Sequence, residues 1–210
     1  MRILAVDTCL AACQVAVIDG ERTLASICEP MTRGHQERLA GMTRQAMAEA
    51  GLAFSDLDRI AVTLGPGSFT GLRVGLAFAK GLGAALGIPV VGVGALEALV
   101  AGAPPEGDVL AIIDARRDQV YAQAFGDGAA LGPPANLLLT ELPALLQGLA
   151  ATLTIIGPGA GLAAPLRPQS TVIAAEAADP AVIARLGASR APGSLSPLYL
   201  RAPDARRQDA

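Results

Sequence analysis

Leu4-Ala5-Val6-Asp7 is an apolar run closed by an aspartate, and Ala111-Ile112-Ile113-Asp114 repeats that pattern in the second half of the chain. A short turn follows each run, Thr8-Cys9-Leu10-Ala11-Ala12 in the first half and Ala115-Arg116-Arg117 in the second. The turns lead into further apolar runs, Val15-Ala16-Val17-Ile18 and Val120-Tyr121-Ala122-Gln123-Ala124-Phe125. Short apolar runs bounded by turns predict strands, so each half opens on a β-hairpin. Later in each half an apolar strand runs into Gly-Pro-Gly: Ile60 to Leu64 before Gly65-Pro66-Gly67, and Leu153 to Ile156 before Gly157-Pro158-Gly159. Two elements recurring in the same order point to a duplicated α/β design.

Between the halves, Ala101-Gly102-Ala103-Pro104-Pro105-Glu106-Gly107-Asp108 is rich in turn residues and places a boundary near residue 104. The expected division is a lobe over 1–103 and a second over 104–210, with a frayed polar tail from about 201. The core must be built from small and branched aliphatic side chains, because 52% of the 210 residues are hydrophobic and only 3% are aromatic. Leu142 to Leu166 carries no charged residue and is long enough to span a bilayer, but Gly157-Pro158-Gly159 and Pro165 interrupt it, so it reads as a buried helix and strand and not as a membrane span. The start, Met1 to Asp7, places a charge where a signal peptide would need its apolar run, so no export signal is expected, and three cysteines, Cys9, Cys13 and Cys28, suit a reduced, cytoplasmic setting.

Net charge is -3, and the arginines, including Arg116-Arg117 and Arg206-Arg207, are scattered, which argues against independent nucleic-acid binding. His35 is the only histidine, so neither a transition-metal cluster nor a Ser-His-Asp triad is expected. It reads as a capping or surface group at a helix start. Asp7 and Asp114 would face each other across an ATPase cleft as hard oxygen ligands for magnesium. Neither following turn carries a glycine that would let amides close on a phosphate, which favours aspartates that fix their own turns.

Gly65-Pro66-Gly67-Ser68-Phe69-Thr70-Gly71 lies between a strand and a helix but fits neither the Walker spacing nor the dinucleotide fingerprint. Capping by Ser68 or Thr70 is favoured over anion binding. In the helix from Leu72 to Leu86, Gly71, Gly75, Ala79, Gly83 and Gly87 recur every four residues and make one smooth face. The other side carries Val74, Phe78, Leu82 and Ala85, so the helix is apolar nearly all round and is expected to receive a partner. A second candidate surface is the helix from His35 to Ala50, with Leu39, Met42, Ala46 and Met47 on one face; an ordinary amphipathic helix fits its periodicity equally well.

The string Gly65-Pro66-Gly67-Ser68-Phe69-Thr70-Gly71-Leu72-Arg73-Val74-Gly75, with Ala79-Lys80-Gly81-Leu82, resembles the signature of the TsaB (YeaZ) family. Asp7-Thr8, His35-x-Glu37-Arg38-Leu39, Asp114-Ala115-Arg116 with Val120-Tyr121, and Pro197-Leu198-Tyr199-Leu200-Arg201 agree in order. The resemblance implies an actin-like (ASKHA, ribonuclease H-like) duplicated fold, with two lobes each holding a mixed sheet and flanking helices. It implies a non-catalytic subunit that acts with TsaD and TsaE in making threonylcarbamoyladenosine in tRNA. The subunit is expected to pair with itself when alone, and with TsaD through His35, Leu39, Met42, Ala46, Gly71, Val74, Gly75, Phe78, Ala79, Leu82 and Gly83. No intrinsic metal site is expected, and Asp7, Thr8 and Asp114 would give at most weak ATP or ADP binding, Cys9 standing where serine is common. The TsaD paralogue carries two metal-binding histidines where this chain has Ala95 and Leu99, and only Glu97 between them could ligate. The competing reading is an actin-like ATPase or small-molecule kinase using Asp7 and Asp114.

Overall fold

The computed structural model describes residues 1–103 and 106–201. The boundary at Pro104-Pro105 and the tail with Arg206-Arg207 lie outside the described residues. In the first half, β1 (Arg2–Asp7), β2 (Ala12–Asp19) and β3 (Arg22–Pro30) form an antiparallel meander. Then come α1 (His35–Glu49), β4 (Arg59–Gly65), α2 (Phe69–Leu86), β5 (Val90–Gly94) and α3 (Ala95–Val100). The helices carry the chain across so that β4 pairs parallel with β1 and β5 parallel with β4, giving the order β3-β2-β1-β4-β5.

The second half repeats the plan with shorter helices. β6 (Asp108–Arg116) and β7 (Gln119–Gly126) form the hairpin, and β8 (Ala129–Ala130) and β9 (Ala135–Leu138) both pair with β7. After α4 (Leu142–Gln147), β10 (Thr154–Ile156), α5 (Ala160–Ala163) and β11 (Thr171–Ile173), the order β11-β10-β6-β7-β8 mirrors the first sheet. The duplication read from the two hairpins and the two Gly-Pro-Gly turns is therefore present in strand order and direction.

The pattern of burial explains why both hairpins open on continuous apolar runs. Ile3 and Ala5 of β1 face a central apolar layer, while Leu4 and Val6 face the layer under α1 and α2. Val109, Ala111 and Ile113 of β6 likewise face the centre, and Leu110 and Ile112 face α4 and α5. A strand covered on both faces has no polar side to alternate. The last helix, α6 (Pro180–Ala188), starts on Asp179, whose Oδ1 accepts the Ala181 amide at 2.8 Å. Although α6 belongs by sequence to the second half, it packs on β1, β2 and β4 of the first sheet. With α3, it fills the layer between the two sheets. Its return is invisible to a division drawn at a linker, because a single apolar helix suits either sheet.

Candidate functional site

Asp7 ends β1 and is only 1% exposed. Its Oδ1 accepts the Cys9 amide at 2.9 Å and the Thr63 hydroxyl at 2.6 Å, and its Oδ2 accepts from Gln14 Nε2 at 3.4 Å. These donors offset the cost of burying the carboxyl group and hold the first turn to β2 and β4. Thr8 is equally engaged: it is 1% exposed and its hydroxyl donates to the Gly71 carbonyl at 2.7 Å. From the other side, the Ser68 amide donates to the Cys9 carbonyl at 2.7 Å. The β1–β2 turn and the loop before α2 are thus bonded face to face.

That contact explains the glycines. A Cβ at Gly67 would overlap the Cys9 carbonyl, one at Gly71 the Thr8 carbonyl and one at Gly83 the Val90 side chain; one at Gly75 would stand 2.6 Å from Thr8 Oγ1. The glycine face of α2 therefore lies on its own sheet. Ser68 is the N-cap of α2, its Oγ accepting the Gly71 amide at 3.2 Å, so capping is the role this loop performs.

The second hairpin is dressed differently. Asp114 Oδ1 accepts the Arg116 amide at 2.7 Å, and Oδ2 stands 3.1 Å from Arg116 Nη1. Asp114, Arg116 and Tyr121 line an interlobe cavity of about 440 Å³ whose other wall includes Cys9 and Ser68. Asp7 and Thr8 do not line it, so the structure does not bring the two sequence-matched aspartates together on one ligand. Burial and the neighbouring Asp7 push the Cys9 thiol well above its ordinary range. Burial likewise pushes Cys13 up to about 11. Among the described residues, no three His, Cys, Asp or Glu side chains are grouped to hold a metal ion.

The expected partner surface needs correction. His35, Leu39, Met42, Ala46, Gly71, Gly75, Ala79 and Gly83 are all buried, and Leu39, Met42, Ala46 and Ala79 belong to the apolar layer between the first sheet and α1 and α2. These residues cannot face another chain in this fold. A smooth glycine row fits a helix or a sheet equally well, and here the sheet takes it. His35 is 6% exposed, gives α1 no side-chain cap, and has no hydrogen-bond partner at Nε2, so it is neither a cap nor a surface group. Val74, Phe78 and Leu82 are half-buried and stand beside exposed Arg73, Ala77, Lys80 and Gly81, which form the outward side of α2.

On α3, Ala95 and Leu99 are each 1% exposed, and Glu97 is ion-paired with Arg190. Sequence reading missed Thr63 and Gln14 as partners of Asp7, and missed the cluster of Phe69, Arg73 and Tyr199, in which the Arg73 guanidinium lies 3.8 Å above the Phe69 ring. The residues of that cluster come from segments far apart in the chain, and no local pattern announces their meeting.

Two sheets of equal strand order around a central helical layer, with an interlobe cleft, define a duplicated actin-like protein. The fold is shared with the ethanolamine utilization protein EutJ from Carboxydothermus hydrogenoformans, at a TM-score of 0.51 and 11% identity, a likeness of fold alone. YeaZ from Pseudomonas aeruginosa matches at a TM-score of 0.78 and 30% identity, over 95% of this chain and 99% of that one. The family model described as TsaD, tRNA N6-adenosine threonylcarbamoyltransferase, matches residues 26–132. An uncharacterized protein of Mycobacterium tuberculosis is 36% identical over 97% of this chain and 93% of its own length. The tRNA threonylcarbamoyladenosine biosynthesis protein TsaB of Escherichia coli is 38% identical over 58% of this chain and 53% of its own length. The chain belongs to the TsaB (YeaZ) family. No helix among the described residues is long and apolar enough to cross a membrane.

Proposed function

We propose that this chain is the non-catalytic scaffold subunit in formation of threonylcarbamoyladenosine in tRNA, acting with a TsaD-type transferase that carries the reacting groups and with TsaE. The observation that carries this reading is the bonding of the first hairpin turn to the loop before α2. In an actin-like ATPase that turn would face nucleotide phosphates; here the Cys9 amide is bonded to Asp7 Oδ1, the Ser68 amide to the Cys9 carbonyl, and the Thr8 hydroxyl to the Gly71 carbonyl. Amides already bonded within the protein are poor receivers for an anion. Ala95 and Leu99, at the positions that resemblance assigns to the paralogue's metal-binding histidines, offer no donor atoms and are packed into the core.

The partner is received along the exposed side of α2, where half-buried Val74, Phe78 and Leu82, packed inward on the first lobe's core, leave an apolar edge beside Arg73, Ala77 and Lys80. The same side serves for self-pairing when the partner is absent. ATP or ADP binding in the interlobe cleft is at most weak, no metal is held by this chain, tRNA is met only within the assembly, and the assembly works in the cytoplasm. The test is reconstitution of the transfer from threonylcarbamoyl-AMP to tRNA by the TsaD and TsaE proteins of the same organism, with and without this chain. The modification is expected to need the chain, and undiminished modification without it overturns the reading. Tight stoichiometric Mg-ATP binding with turnover by the isolated chain would favour an ATPase instead.

A further inference from the structure

After α6 the chain runs without helix or strand from Ser189 to Arg201, yet it is tied down along its length. Arg59 Nη1 donates to the carbonyls of Gly187, Ala188 and Arg190 at 2.8, 3.1 and 2.6 Å, which secures the start of the segment to β4. Arg190 pairs with Glu97 on α3. The Leu198 amide donates to the Leu64 carbonyl at 2.7 Å, which places the segment beside the loop that leads into α2.

The next residue, Tyr199, stacks on Phe69 with ring centroids 4.9 Å apart, and its hydroxyl accepts from Arg73 Nε at 3.1 Å. Phe69 is 41% and Tyr199 38% exposed, so this catch is open to whatever approaches the start of α2. Two residues farther on, Arg201 Nη1 donates to the Ala115 carbonyl at 3.0 Å. Ala115 lies between Asp114 and Arg116 in the wall of the interlobe cavity. One short stretch therefore joins the first lobe's exposed helix start to the second lobe's hairpin turn.

We propose that residues 197–201 form a latch that holds the β6–β7 turn against the first lobe and so sets the opening of the interlobe cleft. In the latched state Tyr199 occupies the Phe69–Arg73 shelf and Arg201 holds Ala115. In the released state Tyr199 leaves the shelf, Arg201 loses its fixed position, and the second hairpin turn is free to move. A molecule that covers the start of α2 and displaces Tyr199 thereby changes the cleft without touching it, because the two sites share this one element.

Hydrogen exchange on the full chain tests it, comparing Tyr199→Ala and Arg201→Ala with the unaltered protein. Amides from Asp114 to Val120 are expected to exchange about ten-fold faster in both variants, with β1 and β4 unchanged. Tyr199→Phe, which keeps the ring stack and loses the hydroxyl, is expected to fall between. Unchanged exchange at the hairpin turn in Tyr199→Ala overturns the latch, as does an effect confined to Arg201→Ala. A uniform rise through every peptide overturns it too, since that outcome is general destabilisation.

Discussion

The two hairpin turns begin from the same sequence pattern and end in opposite conditions. Asp7 is almost fully buried and receives hydrogen bonds from the Cys9 amide, the Thr63 hydroxyl and the Gln14 amide group. Asp114 is half-exposed, is bonded to its own turn through Arg116, and faces the cleft. What separates them is the neighbour. In the first half a long glycine-faced helix brings its N-terminal loop onto the turn, whereas in the second half α5 spans only Ala160–Ala163 and the glycines before it lie against Ile112 to Asp114 at the end of β6, with Asp114 facing the cleft. A duplicated motif can thus become a structural keystone in one copy and a surface group in the other.

The hardest way to break the first turn is to lift α2 from it. Gly75→Leu must place a branched side chain where even a Cβ meets Thr8 Oγ1 at 2.6 Å. Overpacking of this kind is expected to cost about 3 kcal/mol, read as a lower urea midpoint or failure to accumulate folded protein. A folded, equally stable Gly75→Leu protein would mean that α2 does not lie on the sheet at this distance. The variant is accordingly a test of the fold, and is unsuited to probing a partner surface.

Next in size is the contrast between the aspartates themselves. Asp7→Asn leaves one of several buried donors without an acceptor and is expected to cost about 2 kcal/mol. Asp114→Asn alters a solvated contact and is expected to stay within about 0.5 kcal/mol of the parent. Urea unfolding of the two variants side by side checks this, and equal losses would remove the distinction drawn between the turns.

A smaller effect follows from the thiols beside the first turn. Cys9 and Cys13 ionise above their ordinary value of 9.0 in the folded chain, Cys13 at about 11, so the unfolded chain releases these protons first. Stability contributed in this way is complete below about pH 9 and is lost as pH rises toward 11. Unfolding midpoints between about pH 7.5 and 10.5 are expected to fall, and to fall less in Cys9→Ala and Cys13→Ala. A flat profile in the parent would show that burial does not hold these thiols protonated.

Both hairpins and both Gly-Pro-Gly turns were legible in sequence because strands covered on two faces leave continuous apolar runs and the turns need glycine. The Ser68 cap was legible for the same local reason. The direction of α2 was not: Gly71, Gly75, Ala79 and Gly83 mark close approach, but nothing in their spacing says whether a helix or a sheet approaches. Leu39, Met42 and Ala46 likewise mark the buried side of α1 without naming what buries it. The meeting of Phe69 and Arg73 with Tyr199, and the return of α6 to the first sheet, depend on the path of the whole chain.

The least disruptive test separates the inward and outward sides of α2. Ala77 is exposed and lies on the outward side, one turn from Arg73 and beside Phe78. Ala77→Glu adds a charge without entering the core and is expected to change stability by no more than about 0.5 kcal/mol. On the proposed partner surface the same charge would be desolvated against an apolar contact, so co-purification with the TsaD-type partner is expected to fall by at least about ten-fold, or about 1.4 kcal/mol. Undiminished association with unchanged folding would move the partner to another face, while leaving the buried glycine row and the closed first turn as they are.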